Sequence, residues 1–157
     1  MTGVAALLMA LDRPDGGGME DVREATIVPL GRAIFPAALE VYPRMRHWMG
    51  RNGLVHTAMK FAMVEPDARR LGVMGLGDRS KHVRYRAAML LAVGGAPDTL
   101  PALEAALDHT SRETREDAAA AIAAIREGNR DLFLDRQRTG RVHLEIGGLV
   151  RPGPPQG

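Results

Sequence analysis

Cysteine is absent from this chain of 157 residues, which excludes disulfides and thiolate metal sites. Aromatic residues make up only 4%, so alanine, leucine, valine and methionine must fill the core. Strands are enriched in β-branched and aromatic residues, and this composition therefore favours closely packed helices over a sheet sandwich. Lysine is nearly missing too: Lys60 and Lys81 are the only two, and the other nineteen cations are arginine. High-GC bacterial coding produces the same arginine- and alanine-rich usage. No apolar run is long enough to span a bilayer. The first, VAALLMAL at 4–11, lacks a basic leader and runs into DRPDGGG, which makes it a poor signal peptide. A cytoplasmic protein of one main domain, with no membrane partner, is the expectation.

Other chemistry is missing as well. GVMGLGDRS at 72–80 has glycines but no GK[ST], so it is no phosphate loop, and close helix packing accounts for the glycines. The histidines at 47, 56, 82, 109 and 143 show no metal-ligand spacing, and no metal or other cofactor is expected. A serine elbow of the hydrolase type is also lacking.

What is present is charge of one sign in one place. Residues 32–90 carry eleven Lys/Arg against four acids, a net +7, whereas 1–31 carry −3 and 91–157 carry −2. The middle third is a basic belt able to attract carboxylates or phosphates.

An internal repeat is also present. Aligning EPDARRLGVMGLGDRSKHVRYRAAMLLAVGG with APDTLPALEAALDHTSRETREDAAAAIAAI sets Pro66-Asp67 on Pro97-Asp98 and Asp78 on Asp108. The same alignment sets Arg84 on Arg115 and Ala87-Ala88 on Ala118-Ala119. The period is roughly 31 residues, which suits stacked helical hairpins. Pro36 and LVHTAMKFAMV mark an earlier unit, and Asp12 with Val22-Arg23 mark the first. Within a unit the first helix opens at a Pro-Asp pair, and the second has apolar residues at helical spacing, as at Val83, Ala87, Leu90 and Leu91. DGGG at 15–18, GRNG at 50–53 and VGGAPD at 93–98 read as breaks between units.

The Asp…Val-Arg-x-x-Ala-Ala pattern at 78–88, echoed at 108–119 and loosely at 12–26, resembles HEAT repeats of the short, phycobilin-lyase-like kind. The resemblance covers about residues 2–127 and implies an all-α, right-handed α-solenoid of about four helical hairpins. It also implies that Asp78, Arg84, Asp108 and Arg115 form a ladder bracing neighbouring units. That ladder should be interrupted at the second unit, which has MGRNG where the aspartate belongs. Relatives of this kind include protein-docking adaptors, chromophore lyases and alkylation-repair DNA glycosylases, so the fold alone leaves activity open.

The repeat domain is expected to span 1–127. Beyond it, DLFLDR and RVHLEIG alternate apolar and polar residues around QRTG, which predicts a β-hairpin cap over 128–151. Residues 152–157 should form a disordered tail. DRQRTG has calcium-loop spacing, but Ile146 stands where the bidentate glutamate is required, so the turn reading is preferred.

Stacking the units with Ala58, Ala87 and Ala118 as equivalents makes His56, Tyr85 and Glu116 neighbours along a concave groove, with Glu24 joining from the first unit. Lys60 and Met89 follow one turn on, and Arg86 and Asp117 form a further row. This groove, basic in its middle, suits an acidic protein or peptide partner bound by a non-enzymatic module. His56, Lys60, Tyr85 and Glu116 could instead serve acid–base chemistry on a small molecule, as in a lyase-like enzyme. Nucleic acid is the third reading, weakened because Glu24, Glu116 and Asp117 would repel phosphates. Solvated residues on a helix face would show the same pattern. Trp48, the sole tryptophan, with Tyr42 and Arg46 forms a candidate interaction anchor.

Overall fold

Helix signals recur along the chain with a regular order of caps. In the computed structural model, which describes residues 2–154, α1 (Gly3–Leu8) starts after Thr2, whose hydroxyl accepts the Ala5 N–H. A 3-10 turn then leads to α2 (Met19–Val22), a π turn (Arg23–Ile27) and α3 (Val28–Leu30). Pro29 has no N–H for the Ala25 carbonyl, and the helix widens there. The next hairpin is α4 (Phe35–Val41), flanked by 3-10 turns, and α5 (Trp48–Met59). The third is α6 (Pro66–Leu76) and α7 (Lys81–Gly94), and the fourth is α8 (Leu100–Ala106) and α9 (Arg112–Glu127). Ser80 and Ser111 cap α7 and α9 through their hydroxyls, and Gly95 and Gly128 end them in the left-handed conformation.

The hairpins stack in two layers. First helices α1, α4, α6 and α8 lie side by side, and α5, α7 and α9 form the second layer. Between them run fully buried Leu8, Phe35, Leu71, Leu90 and Leu91. No single hairpin covers its own apolar face, so stability comes from stacking. Small residues set the spacing: a Cβ on Gly75 would lie 2.7 Å from the Ala87 Cβ, and one on Gly72 would lie 2.9 Å from the Leu90 and Leu91 methyls.

The ladder is present with a different membership. Each second helix carries an arginine four residues after its cap: Arg51 after His47, Arg84 after Ser80, Arg115 after Ser111. All three reach back to the loop before their own helix, to the carbonyls of Met45, Asp78 and His109. Arg51 also crosses to Asp78 of the next unit, with Nε 2.7 Å and Nη2 3.1 Å from the carboxylate. Arg84 crosses to the Thr114 hydroxyl at 2.8 Å. Asp12 closes the first junction by accepting the N–H groups of Arg46 and His47. The second unit therefore does not interrupt the ladder; it supplies the arginine and donates two backbone N–H groups to Asp12. In the last unit His109, not Asp108, fills the aspartate slot, its Nδ1 accepting the Ser111 N–H as Asp78 accepts that of Ser80.

Two further expectations are corrected. GRNG at 50–53 is no break but lies inside α5, where Gly50 and Gly53 are buried. The β-hairpin over 128–151 is also not formed: among the described residues there is no strand. Arg130–Phe133 is a 3-10 turn capped by the Asn129 side chain. The backbone groups that a strand ladder would need are already taken. Asp135 binds the N–H groups of Thr139 and Gly140, Asp131 binds that of Leu144, and Arg130 binds the Leu144 carbonyl. The chain after Gly140 then runs back over the second-helix layer as single extended coil, reaching Lys60, whose carbonyl accepts the Val150 N–H at 2.8 Å. Of the expected tail, 152–154 are irregular coil and 155–157 lie outside the described residues.

Candidate functional site

The capped starts of α5, α7 and α9 fix which positions share a row. Asn52, Tyr85 and Glu116 are equivalent, as are Gly53, Arg86 and Asp117, and as are His56, Met89 and Ala120. The expected row of His56, Tyr85 and Glu116 is offset by one helical turn in the second unit, because α5 already begins at Trp48, ahead of GRNG. The structure accordingly divides the candidates among three depressions.

The first lies near the open rim and is lined by Trp48, Asn52, Tyr85, Arg86, Glu113 and Asp117, with Lys81 and His82 at its edge. Tyr85 packs tilted against Phe133, 5.5 Å between centroids. Asp117 is buried and receives Arg136 at 2.9 Å, which ties α9 to the C-terminal segment. Burial pushes the Asp117 carboxyl above its usual range, and Arg136 offsets only part of that. The Asn52 Oδ1 and Arg86 Nε atoms are buried here without hydrogen-bond partners.

The second depression holds His56, Lys60, Arg86 and Met89, facing the π turn and the returning C-terminal segment at 144–148. Desolvation, then the charge of Arg86, lowers the His56 pKa below the ordinary histidine value. The third, at the last repeat, contains Glu116 beside Ala120, Asp135, Arg136 and Arg138. Glu24 lines none of the three; it is exposed and pairs with Arg23. His56, Lys60, Tyr85 and Glu116 thus do not converge on one reacting centre. Among the described residues no group of three or more His, Asp or Glu side chains could hold a metal ion.

The proposed anchor divides as well. Tyr42 is buried, its hydroxyl donating to Asp78, and it belongs to the ladder. Trp48 is 37% exposed and stacks on His82 of the next unit, with centroids 4.6 Å apart and planes 24° from parallel. Arg46, Arg79 and Lys81 surround this pair, all exposed. Among the described residues none of the three pairs with a carboxylate within salt-bridge distance, although Lys81 and Glu113 line the same depression. Sequence reasoning named Trp48 as an anchor but missed its stack on His82. It also missed Leu144 and Ile146, whose alternation reports one face lying on helices and not a paired strand.

No helix among the described residues is long and apolar enough to cross a membrane. A family model described as HEAT repeats matches residues 73–134, which span the end of α6, α7, the last hairpin and the 3-10 turn after it. No curated protein and no solved structure matches the chain significantly. Over residues 73–134, which hold α7, the last hairpin and the ladder arginines Arg84 and Arg115, the chain is thus similar to HEAT repeats.

Proposed function

We propose that the protein is a binding module that receives an acidic segment of a partner protein at the rim formed by the starts of α5 and α7. HEAT repeats generally mediate protein–protein interaction, and the charge distribution supplies the rest. The observation that carries the reading is the half-exposed Trp48–His82 stack, flanked by three cations without carboxylate partners. An aromatic pair of this kind offers a rigid apolar contact, and flanking cations give it preference for carboxylates. Both helix N-termini add partial positive charge at the same edge. A continuous phosphate backbone fits less well, because Glu113, Glu116 and Asp117 follow directly along the second-helix face.

The test is selection from a displayed library of Asp/Glu-rich peptides, followed by fluorescence anisotropy on the best binder. Raising salt from about 0.1 M to about 1 M shortens the Debye length from ~10 to ~3 Å and should weaken binding strongly. Trp48→Ala should weaken it about tenfold or more, the usual scale for an aromatic anchor. Arg46→Glu with Lys81→Glu should abolish it. Salt-independent affinity, or tighter binding of a single-stranded oligonucleotide at matched salt, would sink the proposal.

A further inference from the structure

The depression beneath the returning C-terminal segment has a volume of about 740 Å³, within the range of small-molecule sites. Its walls come from α2 with the π turn, from α5, from α7, and from residues 144–148. Leu144 is buried, and Ile146 packs against the core, so the segment is a wall and not a loose cover.

Charge within this space is unbalanced. Arg86 makes no ion pair or hydrogen bond among the described residues, and its Nε is buried. Lys60 sits over the edge of the same space, with Nζ 5.1 Å from the Phe61 ring centroid and no carboxylate partner among the described residues. Of the lining carboxylates, Glu20 is engaged by Arg23 at 2.8 Å, and Glu145 is exposed and pairs with neither cation. Desolvation, and then the Arg86 charge, lower the pKa of His56 on the same wall. Arg86 is only half-buried, but its Nε is shut off from water without a partner, and an anion reaching it would recover a hydrogen bond the protein leaves unmade.

The remaining lining is apolar and adaptable: Ile27, Met59, Met89, Leu144 and Ile146. Methionine side chains reshape around irregular apolar ligands at low cost. We propose that this depression binds an amphipathic anion, a medium-chain carboxylate or alkyl phosphate, with its head between Arg86 and Lys60 and its chain along Met59, Met89 and Leu144. This site is separate from the Trp48–His82 rim, although Arg86 borders both depressions.

Isothermal titration of the intact chain with decanoate, decyl phosphate and decanol tests the assignment. At least one anion should bind saturably at one site per chain below its micellar range, and the tighter of the two identifies the head group. Decanol should bind at least tenfold more weakly. Arg86→Met should weaken the anion at least tenfold, and Lys60→Met, at a partly exposed position, gives a second reading if Arg86→Met fails to fold by circular dichroism. Trp48→Ala should leave anion binding unchanged while weakening acidic-peptide binding about tenfold or more, so failure of one proposal is distinguishable from failure of the other. Absence of saturable anion binding, equal affinity for decanol, or unchanged affinity in every folded Arg86 or Lys60 variant would overturn it.

Discussion

Asp78→Ala is expected to destabilise the protein by about 3–5 kcal/mol, the scale for breaking a buried ion pair by removing one partner. The side chains of Arg51 and Asp78 are 8% and 3% exposed. Asp78 accepts two hydrogen bonds from Arg51, one from the Tyr42 hydroxyl and one from the Ser80 N–H at 2.8 Å. Without the carboxylate, a guanidinium and a phenol remain buried with their main acceptor gone, and the second and third hairpins lose their crosslink. Replacing both charges, as in Arg51→Met with Asp78→Leu, should cost less than Asp78→Ala alone, because no charge is then stranded. Urea unfolding followed by the fluorescence of the single tryptophan measures all three. The same network predicts a pH signature. Burial alone would raise the Asp78 pKa, but the hydrogen bonds from Arg51, Tyr42 and Ser80 outweigh it and hold the carboxyl below its usual range. A depressed carboxylate stabilises fully above its unfolded pKa of about 3.9 and loses that contribution as pH falls through its folded value. The stability gap between the native chain and Asp78→Ala should therefore be constant near neutrality and narrow below about pH 4. Other lowered carboxylates, such as Asp12 and Asp131, cancel in that difference. Parallel curves down to acid would remove Asp78 from the ladder.

How far this arrangement could be read in advance depended on which physical signal each residue carried. The last two hairpins were legible because their signals agree: Pro-Asp at a helix start, serine caps, and an apolar stripe repeating at 31 residues between Arg84 and Arg115. The second hairpin was not, because its cap is His47, which makes no side-chain capping hydrogen bond, and its aspartate slot holds Met45. Glycine there carried a misleading signal. In GRNG it permits close approach of neighbouring backbone and side chains, whereas glycine between hairpins permits a left-handed turn, and a lone sequence presents both alike. The C-terminal error has a similar origin. Period-two alternation in RVHLEIG means one face is buried, and a segment lying singly across helices satisfies it as well as a hairpin does. The second-unit candidates stand one helical turn away from the rows expected for them. Arg86, Met89, Lys60 and His56 do share one space, while Tyr85 and Glu116 belong to others.

Gly50→Ala separates those two meanings of glycine. By helix propensity alone, alanine inside α5 should stabilise by nearly 1 kcal/mol, since glycine loses more backbone freedom on folding. Packing gives the opposite sign. A Cβ at position 50 would lie 2.4 Å from the Leu11 carbonyl oxygen, 2.9 Å from its carbon and 3.0 Å from the Asp12 Cα. These are backbone atoms of the first hairpin, so relief requires moving the hairpin itself, and the net cost should reach about 3 kcal/mol, the upper part of the overpacking range. For a chain of this size that is a fall in Tm of roughly 6–12 °C. Gly53→Ala is the control. Its Cβ would meet only the Met19 methyl, at 2.6 Å, and a methionine tip can swing away, so this variant should stay within about 1 kcal/mol of the parent. Thermal unfolding of the pair decides the matter; equal stabilities would mean that the first hairpin does not seat against α5. The displacement also carries a functional consequence. Asp12 holds the Arg46 and His47 N–H groups one residue ahead of Trp48, so shifting the first hairpin loosens the start of α5 and misplaces the indole over His82. Acidic-peptide binding should therefore weaken in Gly50→Ala and not in Gly53→Ala, which makes the close approach at Gly50 a support of the rim and not only of the fold.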